Sequence, residues 1–121
     1  MQYIGVDIIE IARIEEAVIR WGERFLNRIY TKAELELCRK NPSSLAVRFA
    51  SKEAVMKLLG TGTKGISWKE IETLSHPNGK PLIKLYSKAQ AKAEELELEE
   101  IAISLSHSKK YAIAMAAGVS K

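Results

Sequence analysis

The chain has 121 residues, 46% hydrophobic and 28% charged, which is the build of one globular domain spanning 1–121 and excludes a disordered segment. Its apolar stretches fall short of a membrane span, and Met1-Gln2-Tyr3-Ile4-Gly5-Val6-Asp7 lacks the charge-then-apolar pattern and cleavage site of a signal peptide. A single cysteine, Cys38, excludes an intrachain disulfide and a cysteine metal cluster and points to a cytoplasmic setting, while a net charge of +4 favours an acidic partner: nucleic acid, phosphorylated small molecule or acidic protein.

In chain order, residues 2–8 alternate as a first strand, after which Ile9, Ile11, Ile14, Val18 and Ile19 continue at helical spacing. Arg13, Arg20, Arg24 and Arg28 set a basic series across that helical region. Thr31 with Glu34 forms a capping-box pattern for a second, short helix, ended by Asn41-Pro42. Ser43 or Ser44 then caps a long third helix running through Leu59, with Val47, Ala50, Ala54 and Leu58 along one apolar line. The polar loop Gly60-Thr61-Gly62-Thr63-Lys64-Gly65 breaks it.

The second half predicts most of the sheet. Residues 66–75 read as a strand with imperfect alternation, and Asn78-Gly79 is the hairpin signal that joins it to a strand over 82–86. Ser87 with Gln90 predicts a cap for a helix of about three turns. Ile101, Ile103 and Leu105 alternate with small residues in a further strand, and after a turn at His107-Ser108-Lys109-Lys110 a last strand carries Tyr111, Ile113 and Met115 on one face. The expected class is α+β, an antiparallel sheet with helices packed on it, without repeats or an interdomain linker.

Three pieces carry candidate chemistry. Asp7 ends an apolar strand where a helix begins, as a helix cap or as a functional carboxylate. Glu53 interrupts an apolar helical pattern between Lys52 and Lys57, as a surface ion pair or as a ligand in phosphate-ester chemistry. Together Asp7 and Glu53 supply the hard oxygen donors that Mg²⁺ prefers. Ser104-Leu105-Ser106-His107-Ser108 gathers hydroxyls and an imidazole at a strand end, but no Gly-x-Ser-x-Gly elbow accompanies it. Gly60-Thr61-Gly62 with Lys57 and Lys64 suits a phosphate approached by backbone N–H groups or a plain helix C-cap, and it is not a Walker A loop.

Gly5-x-Asp7 followed by Arg13, Arg48-Phe49-Ala50-x-Lys52-Glu53-Ala54-x-x-Lys57, Gly60-Thr61-Gly62, Asn78-Gly79-Lys80-Pro81, and Ser104-x-Ser106-His107 with Tyr111-Ala112 occur in this order between residues 4 and 117. The set resembles the holo-[acyl carrier protein] synthases, the small bacterial type of 4′-phosphopantetheinyl transferase. The resemblance implies transfer of 4′-phosphopantetheine from coenzyme A to a serine of an acidic apo acyl carrier protein in fatty acid biosynthesis, releasing 3′,5′-ADP. It makes Asp7 and Glu53 the Mg²⁺ ligands and Lys57 a neighbour of the pyrophosphate. It places Arg48, Lys52, Gly60, Gly62, Asn78, Gly79, Pro81 and His107 in segments around coenzyme A. It puts Arg13, with Arg20, Arg24 and Arg28, against the carrier, and implies a homotrimer with sites between neighbours. Either Glu53 or a metal-bound water serves as base for the serine.

Two other readings use the same residues. A nucleic-acid-binding domain would use the positive charge with Trp21, Trp68 and Tyr86 as stacking residues, but leaves Asp7 and Glu53 without a role. A Mg²⁺-dependent phosphohydrolase would use the same carboxylates with water as acceptor. Neither nucleic acid nor a membrane is the expected partner.

Overall fold

The structure, a computed structural model, describes residues 1–120. Strand β1 (Gln2–Glu10) leads directly into helix α1 (Ile11–Trp21), and Gly22, with φ of +54°, turns the chain into α2 (Glu23–Ile29). The first helical region is thus two helices, because Gly22 adopts a conformation that other residues resist. Helix α3 (Lys32–Cys38) starts on the expected capping box, with Thr31 Oγ1 accepting from Glu34 N and Glu34 accepting from Thr31 N. The long α4 (Pro42–Leu59) is capped by Asn41 rather than by Ser43 or Ser44: Asn41 Oδ1 accepts from Ser44 N at 2.9 Å, and Pro42 occupies the first helical turn, where its missing N–H costs nothing.

The strand expected over 66–75 is shorter. A 3₁₀ turn at Trp68–Glu70 precedes β2 (Ile71–Ser75), because Glu70 bonds back to Ser67 N at 2.9 Å and closes a local turn in place of a ladder. The Asn78-Gly79 hairpin is present and joins β2 to β3 (Pro81–Leu85) in antiparallel register, Ile71 opposite Leu85. Helix α5 (Ser87–Glu95) does not use Ser87 and Gln90 as its cap. Tyr86 holds the cap position, Ser87 has φ of +50°, and Glu70 Oε1 reaches across to accept from Ala89 N at 3.0 Å. Strands β4 (Leu98–His107) and β5 (Tyr111–Ser120) complete the chain.

The strands form two antiparallel sheets instead of one: β1-β5-β4, and the β2-β3 hairpin. Helix α4 crosses the inner face of the three-stranded sheet and is buried on nearly all sides, which explains why its sequence lacks a single apolar stripe. Close packing demands small residues beneath it. A Cβ on Gly5 would sit 1.9 Å from Ala54 O, and Ala112, Ala114 and Ala116 of β5 are fully buried on the same face. Tyr111, Ile113 and Met115 do share a face, but it is the outer one, where they lie exposed beside Ile4, Val6 and Ile8 of β1. The helices α1 to α3 close a second part of the core around Ile14, Leu26, Tyr30 and Leu45.

Candidate active site

The close approach of β1 to α4 determines the site. Because Gly5 lets the strand lie against Ala54, the next inward-facing residue, Asp7, meets α4 at Glu53, just before that contact, and at Lys57, about one turn after it. There Lys57 Nζ donates to Asp7 Oδ1 at 3.2 Å and to Val6 O at 3.0 Å. Asp7 is 11% exposed and Lys57 55%, so the lysine covers the carboxylate from the solvent side and retains donor capacity toward it. Asp7 does not serve as a helix cap: the cap position of α1 is Glu10, which makes no side-chain capping bond.

Glu53 faces the same carboxylate. Burial, then the charge and hydrogen bonding of Asp7, push the Glu53 carboxyl above its ordinary range, and Lys57 opposes the shift. Two carboxylates crowd together here, and the one lysine in contact bonds to Asp7 alone of the two. The pair opens on a cavity of about 340 Å³ lined also by Arg13, Ile14, Phe25 and Phe49. Among the described residues no three histidine, cysteine, aspartate or glutamate side chains gather elsewhere into a metal cage. Two oxygen donors with open surroundings fit an ion such as Mg²⁺, which keeps several waters and takes phosphate oxygens from a substrate.

Asp7, Glu53, Lys57 and Arg13 are therefore brought together within one chain. Arg20, Arg24 and Arg28 are exposed along α1 and α2; Arg20 lies 5.1 Å from the Trp21 ring centre, and Arg28 borders a separate cavity with Thr63, Ser67 and Trp68. The residues expected around coenzyme A line different depressions. Arg48 and His107 share a groove at the start of α4 with Ser43 and Ser44, whereas Pro81 borders another with His76 and Lys80. Gly60 and Gly62 have φ of +76° and +58° in the loop after α4, and Asn78 Oδ1 accepts from Lys80 N within the hairpin turn that Gly79 completes.

Lys52 requires a correction. It is fully buried, with Nζ 2.7 Å from Glu34 Oε1 and 3.1 Å from Trp68 O and a further bond to Ile71 O, so it has no donor to offer a nucleotide. Its apolar stem and its charge are both consumed inside the fold. Arg48 is nearly as buried, donating to Ser44 Oγ at 2.8 Å and Thr73 O at 3.2 Å, but it keeps an edge on the His107 groove. Sequence reasoning assigned no role to Phe49, Phe25 or Trp68 in the site. Phe49 stacks on Trp68 at 4.8 Å and forms the cavity wall one helical turn before Glu53, a spacing of four that was available in the sequence.

Comparison with known proteins agrees with this geometry. Residues 3–116 match the 4′-phosphopantetheinyl transferase superfamily. A holo-[acyl-carrier-protein] synthase of Dehalococcoides mccartyi is 56% identical over 115 residues, covering 95% of this chain and 96% of the relative. One from Herpetosiphon aurantiacus is 48% identical, covering 98% and 99%. The crystal structure of Helicobacter pylori holo-[acyl-carrier-protein] synthase in complex with coenzyme A is similar with a TM-score of 0.87 and 38% identity, covering 96% of this chain and 99% of that one. The carboxylate pair, the two-sheet fold and these full-length similarities converge: the chain belongs to the 4′-phosphopantetheinyl transferase superfamily, among the holo-[acyl-carrier-protein] synthases.

Proposed function

We propose that the protein transfers the 4′-phosphopantetheine group of coenzyme A to a serine of an apo acyl carrier protein, in a Mg²⁺-dependent reaction serving fatty acid biosynthesis in the cytoplasm. The observation that carries the reading is the Asp7–Glu53 pair, two crowded carboxylates open to a cavity that Arg13 borders. Asp7 and Glu53 would hold the ion, which when bound supplies charge neutralisation on the pyrophosphate oxygens.

The chain's own residues supply the rest. The serine oxygen forms a bond to the phosphorus attached to pantetheine, and the phosphoanhydride bond to 3′,5′-ADP breaks. Glu53, a carboxylate lining the cavity beside Asp7, is placed to take the serine proton. Lys57, anchored on Val6 O and more than half exposed, offsets negative charge on the departing phosphate. Gly60, Gly62, Asn78, Gly79, Pro81, Arg48 and His107 are proposed to contact coenzyme A, for which Arg48 and His107 offer two basic groups on one groove. The structure with coenzyme A from Helicobacter pylori and that of Bacillus anthracis holo-(acyl-carrier-protein) synthase with CoA (3′,5′-ADP), 33% identical with a TM-score of 0.80, support coenzyme A as the donor. Arg13, Arg20, Arg24 and Arg28 would steer the acidic carrier.

A homotrimer belongs to the same proposal. Its support here is the exposed apolar outer face of β1 and β5, where Val6 pairs with Met115 and Ile8 with Ile113. Residues of that face alternate along β1 with Asp7, so assembly and site share one strand. Light scattering tests this: Met115→Glu is expected to release monomers, and a wild-type monomer would refute the assembly.

The decisive test of function mixes the protein with Mg²⁺, coenzyme A and an apo carrier and weighs the carrier. A mass gain of one phosphopantetheine is the expected result. No gain across several carriers refutes the transfer, and 3′,5′-ADP release without a carrier favours hydrolysis.

A further inference from the structure

Lys52 lies beside the site in the chain but away from it in space, and every donor of its ammonium is engaged by a different piece of structure. Glu34 Oε1 comes from α3, Trp68 O from the 3₁₀ turn and Ile71 O from the first residue of β2. Glu34 is itself held at both oxygens, accepting from Thr31 N at 2.8 Å and from Thr73 N at 2.8 Å, and is fully buried. A single point on α4 therefore fixes three segments. One of them, Trp68, continues into the site: its ring stacks on Phe49, with the planes 24° apart, and Phe49 borders the cavity of Asp7 and Glu53.

An ammonium buried this deeply is weak evidence for stability, since a well-packed apolar pair would serve as well. What the ion pair provides is direction. Two backbone carbonyls aimed at one nitrogen allow few alternative placements of the Trp68–Ile71 segment, whereas apolar contacts tolerate sliding. We propose that Lys52 is a positioning residue for the transfer site, holding Trp68 against Phe49 so that the cavity wall beside Glu53 keeps its place. This rests on the reading of Asp7 and Glu53 as the reacting centre.

The test uses Lys52→Met with Glu34→Gln, which removes both charges together and avoids leaving one uncompensated in the interior. A Trp21→Phe background leaves Trp68 as the one tryptophan of two that remains. In the folded double variant, kcat for carrier modification falls about 100-fold, the cost of an ångström-scale misplacement. The KM for coenzyme A stays near that of the background protein. Trp68 emission and its near-ultraviolet circular dichroism change, and quenching by acrylamide rises. A cooperative melt with kcat and the Trp68 signature both unchanged overturns the proposal, as does a change in either one alone. If the variant fails to fold, Lys52→Met/Glu34→Met read by the same measurements replaces it. If the background protein modifies no carrier, the functional reading has failed, and the Trp68 signature by itself decides whether Lys52 holds the wall.

Discussion

Lys52 and Glu53 are adjacent in sequence and belong to one helix, yet they inhabit opposite electrostatic regimes. On one side of α4, the Lys52 ammonium has a carboxylate and two carbonyls, and Glu34 and Glu72 around it accept from Thr31, Thr73 and Tyr86. Among the described residues no buried side-chain nitrogen or oxygen lacks a partner. On the other side, Asp7 and Glu53 crowd together at the edge of an open cavity, with Lys57 and Arg13 as the nearby cations. Both regions consist of carboxylates and lysines. A finished network fixes structure, and an unfinished one at a surface is left with charge for a ligand to complete.

Activity is most sensitive at the unfinished side. Asp7→Ala or Glu53→Ala is expected to lower carrier modification by about 1,000-fold, the scale of losing one electrostatic stabiliser. The melt should remain cooperative; unfolding with undiminished activity per folded molecule would make the residue structural. The finished side should respond in stability. Glu34→Ala leaves the Lys52 charge uncompensated in the interior, at a cost of about 3 kcal/mol by urea denaturation. A loss no greater than that of a surface substitution would show that the network holds little.

Gly5→Ala attacks the contact that joins strand to helix. Its Cβ would meet Ala54 O, so an expected destabilisation of about 2 kcal/mol should accompany a fall in kcat, because β1 carries Asp7. Smaller still is Arg13→Ala, which should raise the apparent KM for the carrier and flatten its dependence on salt while leaving the melt unchanged. An unaltered salt dependence would remove Arg13 from the carrier surface.

The smallest effect concerns pH. With its carboxyl pushed up, folded Glu53 binds a proton more readily than the unfolded chain does, so its favourable contribution is complete below the unfolded value and lost as pH rises through the folded one. Glu53→Gln should therefore raise the melting temperature slightly at neutral pH in chelator-containing buffer, and the gain should vanish toward acid. An equal gain at every pH would mean that charge is not its source.

Much of this protein was legible in advance. Hairpin chemistry at Asn78-Gly79, the capping box at Thr31 and Glu34, and strand alternation near Ile101 are local signals, and they placed those elements correctly. The pairing of Asp7 with Glu53 was anticipated from residue type and family resemblance. Other readings failed for two reasons: distant partners intervened where Glu70 capped α5 across space and Glu34 consumed Lys52, and a competing local bond won where Asn41 took the cap expected of a serine and Glu70 closed a turn on Ser67.

The residue types of the site, the order of most elements and membership of the family can be read along the chain, because caps, turns and motif spacing are properties of neighbours. Which charges are free depends on packing. Whether a lysine reaches solvent or ends between two carbonyls depends on segments beyond its own helix, 16 to 19 residues away for Lys52, and no periodicity records that. The same holds for Gly5, an unremarkable strand glycine until Ala54 lies against it and brings Asp7 into reach of Lys57.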